Sequence, residues 1–309
     1  MNYFTKEKHY NTLDNYYKTV YNRKVFKIPL NGGFTCPNVD GTVGVGGCTF
    51  CHCGSGDFAG NKSDPLKIQF NKGLKMMKKK WPDGLLIPYF QANTNTYGPL
   101  EKIKALFEEA LTLDENIIGL SVGTRPDALG EDVLDYLEDL NKRTKLTIEL
   151  GLQTINEETS KLINRGHNVK TFDNAVKELR KRKIEVVVHI INGLPNETKN
   201  DMINTVRHLN TLDIQGIKIH MLHIMKHTNM GKDYLIKPWP LLTLEEYIDI
   251  TVTQLRYLKP SVIVHRITGD SKRSLLIEPK WTLKKFVVGN EIDKLMRKNN
   301  YFQGDLYEK

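Results

Sequence analysis

Residues 24–51 read KVFKIPLNGGFTCPNVDGTVGVGGCTFC, a short apolar run that predicts a strand, followed by a glycine-rich stretch holding Cys36, Cys48 and Cys51. Eleven residues separate the first two cysteines and two separate the second pair. Thiolate sulfur is a soft ligand that selects iron–sulfur clusters or zinc, and a CxxC pair brings two sulfurs to one metal centre from a tight loop. Three cysteines occupy three corners of a [4Fe-4S] cube and leave one iron open to a substrate or cofactor, whereas a closed structural site takes four ligands. The competing count adds Cys53, with His52 as a further ligand, and gives a zinc-stabilised RNA-binding module without catalysis. Only one residue separates Cys51 from Cys53, whereas structural zinc pairs usually have about two to four between them. Cys53 is therefore expected outside the metal site, as a plain thiol or a substrate-side residue. Disulfides are not expected: the start of the chain shows no apolar segment of signal-peptide type, and cytosolic thiols stay reduced. The expected location is the cytoplasm.

Outward from this loop, apolar runs at 85–91, 117–123, 145–153, 184–192, 214–222 and 262–269 predict further strands. Amphipathic segments at 66–80, 99–112, 130–142, 157–182 with a break around Gly166, 198–210 and 243–258 predict helices between them. Six βα units in succession imply an α/β chain with a mainly parallel sheet and helices outside, its site at the C-terminal strand ends. Polar residues that follow the strands then converge on one mouth: Asn93 and Thr94 after the second, Arg125 after the third, Gln153 at the end of the fourth. Glu149 and Gln153 occupy alternate sites of one strand and are expected to face the same side. His220, His223 and His227 sit in a strand and the loop after it, so they are not expected to form a second metal site. With 309 residues, 39% of them hydrophobic, a single domain over 1–309 is expected, its core at about 20–230 and a C-terminal cap at about 240–309. No run approaches the roughly 20 apolar residues of a membrane span, and no membrane partner is expected.

Forty-five Lys plus Arg against 36 Asp plus Glu leave a net charge of +9, which favours a polyanionic partner through counterion release. Basic runs stand at 75–80 and 177–183, and a mixture of Tyr16, Tyr17 and Tyr21 with Arg23 and Lys24 lies near the N-terminus. Such mixtures suit phosphate contact with base stacking, although most lysine runs on helices are a solvated face. In the C-terminal region Arg266, Lys280, Trp281 and Lys285 are the candidates to hold RNA.

Over residues 20–230 the chain resembles the radical S-adenosylmethionine (SAM) superfamily, whose usual cysteine spacing is three residues and then two. The wide first gap, SVGTRPDAL at 121–129, IELGLQT at 148–154, NRGH at 164–167, GLPNET at 193–198 and IKIHMLHIMKHT at 217–228 are similar to the branch containing the Elongator catalytic subunit. PYFQANTNTYGP at 88–99 and HRITGD at 265–270 resemble the small YtqA/YhcC-type (MnmL-like) family, across nearly the whole chain. The resemblance implies a partial (β/α)6 TIM-like barrel with short N- and C-terminal extensions and a [4Fe-4S] cluster on Cys36, Cys48 and Cys51. It implies SAM bound with Phe50 on the adenine side and Asn93 and Thr94 at the methionine amino group. Ser121, Arg125, Glu149, Gln153 and Gly193 are the further cofactor candidates. An electron donor such as flavodoxin or ferredoxin is implied, and a tRNA substrate. On the wobble uridine of that tRNA, a 5′-deoxyadenosyl radical would convert a carboxymethylaminomethyl group at carbon five to aminomethyl. The acetyltransferase domain of the Elongator subunit is not expected, nor carboxymethylation from acetyl-CoA. The alternatives are a radical enzyme acting on a small metabolite or a protein, and the zinc-stabilised module above.

Overall fold

Runs rich in Val, Ile, Leu and aromatic residues become the strands of one parallel sheet, as β-branched and aromatic side chains favour. These are β1 (Val25–Leu30), β2 (Leu85–Phe90), β3 (Gly119–Thr124), β4 (Lys145–Gln153), β5 (Glu185–Asn192), β6 (Gly216–Met221) and β8 (Ile263–Arg266), in that spatial order. A two-residue strand β7 (Ile224–Met225) pairs antiparallel with β9 (Leu276–Glu278) in a separate ribbon. The structure is a computed structural model that describes residues 3–52 and 58–308. The sheet curls into a half-barrel, with α2 (Leu66–Lys78), α3 (Leu100–Leu111), α4 (Glu131–Arg143), α6 (Val169–Lys181) and α7 (Lys199–Leu209) among its crossover helices. The break around Gly166 separates α6 from the short α5 (Glu157–Leu162). Local capping sets where helices start: Thr198 and Asp201 form a capping box on α7, and Thr243 and Glu246 form another on α9 (Leu244–Tyr257).

The apolar core lies between the convex face of the sheet and the helices, with Leu86, Leu120, Ile148, Val186 and Ile217 meeting Phe70, Phe107, Leu137, Phe172 and Val206. Each fully buried side chain of this size contributes about 1.5–3 kcal/mol relative to exposure. The six expected strands form, and the seventh, at 262–269, joins the same sheet beside β6. The region expected as an appended cap is thus partly sheet, because β8 continues the parallel ladder and α9 packs on α7.

Three helices escaped the periodicity reading: α1 (Leu13–Tyr21), α8 (Asn229–Ile236) and α10 (Lys285–Lys298). The first has a specific place, since Thr12 bridges to Val264 of β8 and α1 then contacts both β8 and β1, spanning the open edges of the half-barrel. This corrects the RNA reading of the N-terminal tyrosines: Tyr17 is buried against Val25, Leu85 and Ile87, and Tyr16 and Tyr21 pack on the same cluster. Lys24 is paired with Asp14. The run at 177–183 is likewise a paired surface, with Arg180 on Asp213 and Arg182 among Glu131, Asp135, Glu138 and Glu178.

Candidate active site

The cysteine loop follows β1 and is fastened to the segment between α5 and α6. Asn38, fully buried, donates through Nδ2 to the carbonyl of Asn164 at 2.6 Å and approaches the Cys48 sulfur at 3.6 Å. Asn164 returns donors to the carbonyls of Val45 and Gly47, and the Thr49 N–H donates to Ile163. Gly44 and Gly166 lie so close to Asn38 that a Cβ on either would stand 2.4 or 2.6 Å from its Oδ1. Gly166 also has φ +78°, where glycine is at home. Arg165 is buried across the loop, with Nη1 3.5 Å from the Cys48 sulfur and Nη2 bonded to the Gly151 carbonyl of β4. Cys36 is half-buried, Cys48 buried and Cys51 exposed. Cys53 lies outside the described residues. Asn38 and Arg165 were missed as site residues; the NRGH segment was the signal that pointed to the second of them.

At the rim, the chain takes up strained conformations where the strands end. Asn93, just past β2, has φ 61°, and Gln153, the last residue of β4, has φ 76°, both in the left-handed region that side-chain-bearing residues rarely adopt. Asn93 donates to the Phe34 carbonyl at 2.8 Å, and the buried Thr94 donates its N–H to Thr35. A bulge between Gly151 and Gln153 interrupts the β4–β5 register, so the direction of Gln153 is set by the bulge rather than by alternation from Glu149. Arg125 is buried and forked onto Asp127 at 2.9 and 2.7 Å; its remaining Nη1 has no partner. Cys36 and Cys48 are near enough to add to its charge stabilisation. Gly193 has φ 91°, and a Cβ there would meet Leu242 at 3.2 Å, so the visible need for glycine is its left-handed turn. Beyond it Glu197 is set apart by its carboxyl, which burial pushes up to about 7.

The inside of the half-barrel is polar. Glu149 is fully buried, and its Oε1 accepts from Lys27 at 2.5 Å and from Ser121 at 3.0 Å. Its Oε2 accepts from Tyr89 at 2.7 Å, His189 at 2.7 Å and Lys218. Burial opposes its ionisation, but Lys218 and Lys27 outweigh that and hold the carboxyl well below the usual carboxylate range. Burial pushes Lys218 down to about 8 despite Glu149, and pushes His189, His220 and His265 below the ordinary histidine value. A cavity of about 670 Å³ opens above this layer. It runs from Phe50, Cys51 and His52 of the cysteine loop to Lys27, Tyr89 and Lys218 of the strands. Lys27, His189 and Lys218 were not anticipated, because a lone basic residue in an apolar strand gives no sign of its partner.

The expected RNA contacts all have partners within the chain. Arg266 lines the cavity and pairs with Asp270 at 3.4 Å, and Lys285 pairs with the same carboxylate at 2.5 Å. Lys280 donates to the Leu276 carbonyl, and the Trp281 indole donates to the Leu242 carbonyl while its ring lies tilted against Tyr247. Of the three spaced histidines, His220 and His223 both line the cavity, each with Nε2 lacking a partner; His227 stands in a left-handed turn at φ 68°.

Comparison with known proteins bears on this arrangement directly. Residues 42–209 match the radical SAM superfamily and residues 214–298 match the radical SAM C-terminal domain. YtqA of Bacillus subtilis (strain 168) is 46% identical over 308 residues, 99% of this chain and 95% of its own. The tRNA uridine(34) acetyltransferase of Dehalococcoides mccartyi (strain CBDB1) is 31% identical over 110 residues, 36% of this chain and 23% of that protein. Among solved structures, the archaeal Methanocaldococcus infernus Elp3 superposes with a TM-score of 0.69 at 16% identity, covering 91% of this chain, which spans 64% of that one. This likeness supports the half-barrel fold. With one family matched over more than half its length and a relative of near-equal size, the chain belongs to the radical SAM superfamily, whose enzymes use a [4Fe-4S] cluster and SAM.

Proposed function

We propose that this radical SAM enzyme acts on the carbon-five side chain of the wobble uridine in tRNA, converting carboxymethylaminomethyl-uridine or its 2-thio form to the aminomethyl nucleoside. The observation that carries the reading is the cysteine loop docked at the head of a cation-rich cavity of about 670 Å³, large enough for a nucleoside-sized ligand. Two relatives, both tRNA uridine(34) acetyltransferases, supply the substrate class. Membership of the superfamily sets aside the zinc-stabilised module.

By ligand chemistry three thiols suit the cluster, although among the described residues no three potential ligands are gathered into a metal site. Cys36, Cys48 and Cys51 supply three thiolates, and N–H groups of Asn38 and Arg165 are directed at the Cys48 sulfur, as suits a ligand carrying negative charge. Bound there, cluster and SAM would supply hydrogen-atom abstraction; the carboxymethyl unit would leave as a two-carbon oxoacid after one further electron passes to the redox partner and water adds. The protein's part is to bind, orient and exclude water. Phe50 lines the cavity beside Cys51, where an adenine ring would lie, and the left-handed turns at Asn93 and Gln153, which follow β2 and end β4 outside that cavity's lining, would hold polar parts of SAM. Arg125 keeps one buried N–H group without a partner for a carboxylate or phosphate. Ser121 and Glu149, their acceptors occupied, act as positioning residues that hold Lys27 and Lys218 at the cavity floor. Gly193 contributes its turn. The 1–309 chain works as one domain, with a small reduced protein such as flavodoxin or ferredoxin as electron donor.

The test is to incubate reconstituted, reduced protein with SAM and bulk tRNA from a strain lacking this protein, then follow 5′-deoxyadenosine and the wobble nucleosides. Loss of the carboxymethylaminomethyl nucleoside with matching gain of aminomethyl-uridine is expected. An unchanged nucleoside profile alongside continued 5′-deoxyadenosine release removes tRNA as substrate and leaves a small molecule or protein in its place.

A further inference from the structure

The wall of the large cavity is unbalanced in charge. Among the described residues it holds Lys27, Lys218 and Arg266 against one carboxylate, Asp270, which is already shared by Arg266 and Lys285. At the floor two ammonium groups, Lys27 and Lys218, share the single charge of Glu149, itself fully enclosed. Leaving a surplus cation desolvated is costly, and a fold that keeps one beside open space is prepared for an anion to complete the set. The neutral surroundings agree. His220 and His223 each keep a buried Nε2 without a partner, and His265 a buried Nδ1, so hydrogen-bonding capacity faces the cavity as well as charge. Lys218 and Arg266 are register partners on the adjacent strands β6 and β8, which sets their side chains next to one another.

We propose that Lys218 and Arg266 form a carboxylate subsite that selects the acidic side chain of the substrate nucleoside. The inference rests on the tRNA reading above and gives it a specificity determinant: the group that recognises the carboxylate lost in the reaction. A carboxylate accepts two donors at once, and the guanidinium of Arg266 offers a planar fork while the Lys218 ammonium adds a point charge. The aminomethyl product, cationic and without a carboxylate, meets only repulsion there, which favours its release. The methionine carboxylate of SAM has the same chemistry, so the experiment separates the two sources.

Cluster-loaded, oxidised protein, which does not turn over, is titrated with anticodon stem-loops bearing either carboxymethylaminomethyl-uridine or aminomethyl-uridine, and separately with SAM. The wild-type chain is expected to prefer the acidic stem-loop by about tenfold or more, Lys218→Met to reduce that preference below about threefold, and Arg266→Gln to weaken it partway. SAM affinity is expected to stay within about twofold in both variants. Arg266 is 42% exposed at its strand end, so its variant carries the test even where Lys218→Met fails to hold a cluster. Equal binding of both stem-loops by the wild-type chain, or full preference in Arg266→Gln, overturns the subsite. So does a fall in SAM affinity with the stem-loop preference unchanged. A preference without conversion sinks the reaction assigned above but not the subsite; conversion without a preference sinks the subsite alone.

Discussion

Glu149 keeps its charge in a fully buried position because Lys27, Ser121, Tyr89, His189 and Lys218 all converge on its two oxygens. Removing the anion leaves two largely buried ammonium groups without their shared counter-charge. Glu149→Gln is therefore expected to lower stability by about 3–5 kcal/mol, read as a shift in urea midpoint. Glu197 behaves in the opposite sense. Its carboxyl rises from 4.5 to about 7 on folding, through burial. The folded state then holds a proton that the unfolded chain releases between those values, so the stabilising contribution is complete below pH 4.5 and is lost as pH rises through 7. Glu197→Gln is expected to raise Tm by about 2–4 °C at pH 8 and by less than about 1 °C at pH 5, followed by thermal unfolding without SAM. At this scale the place of the cysteine loop directly after β1 was legible, because the apolar run at 24–30 and the glycine-rich stretch behind it adjoin in sequence. Asn38 and Arg165 were not, because what they hold comes from segments 126 and 117 residues away along the chain.

At the scale of elements, the strands and crossover helices followed the hydrophobic period closely: the run expected at 145–153 is β4 to the residue, and that at 99–112 contains α3. The misses, α1, α8 and α10, sit where the chain leaves the βα alternation, and their apolar faces find partners only after the sheet has curled. The terminal segments show why. Gln303 is buried, accepts from the Asn11 N–H at 2.9 Å and donates to the carbonyls of Lys259 and Val262 at 3.0 and 2.8 Å. His9 stacks on Phe302 at 4.2 Å. These contacts tie the two ends of the chain together beside β8, at the open edge that α1 spans. Gln303→Ala is expected to cost about 1–3 kcal/mol, because it takes this partner from the Asn11 N–H and the Val262 carbonyl, while the Lys259 carbonyl keeps the Val262 N–H; the check is a lower urea midpoint with an unchanged m-value. An unchanged midpoint means that the termini contribute nothing to closing the barrel.

For the whole molecule, the net charge of +9 and the tRNA reading together predict salt-sensitive binding. Affinity for tRNA is expected to fall by about tenfold or more between 50 and 200 mM salt, measured by filter binding; a flat dependence removes the polyanion argument. Among the described residues no helix is long and apolar enough to cross a membrane. The sequence by itself determined the α/β alternation, the three-cysteine loop after the first strand and the family, since each depends on spacing along a few tens of residues. Tertiary structure alone decided the charge layer inside the half-barrel, where Lys27 and Lys218 reach Glu149 across 122 and 69 residues of chain. It also decided that the aromatic–basic mixture near the N-terminus serves packing. The physical reason is that burial and pairing are properties of neighbours in space, and a lysine in an apolar strand reads the same whether it meets water or a carboxylate from the far side of a curled sheet.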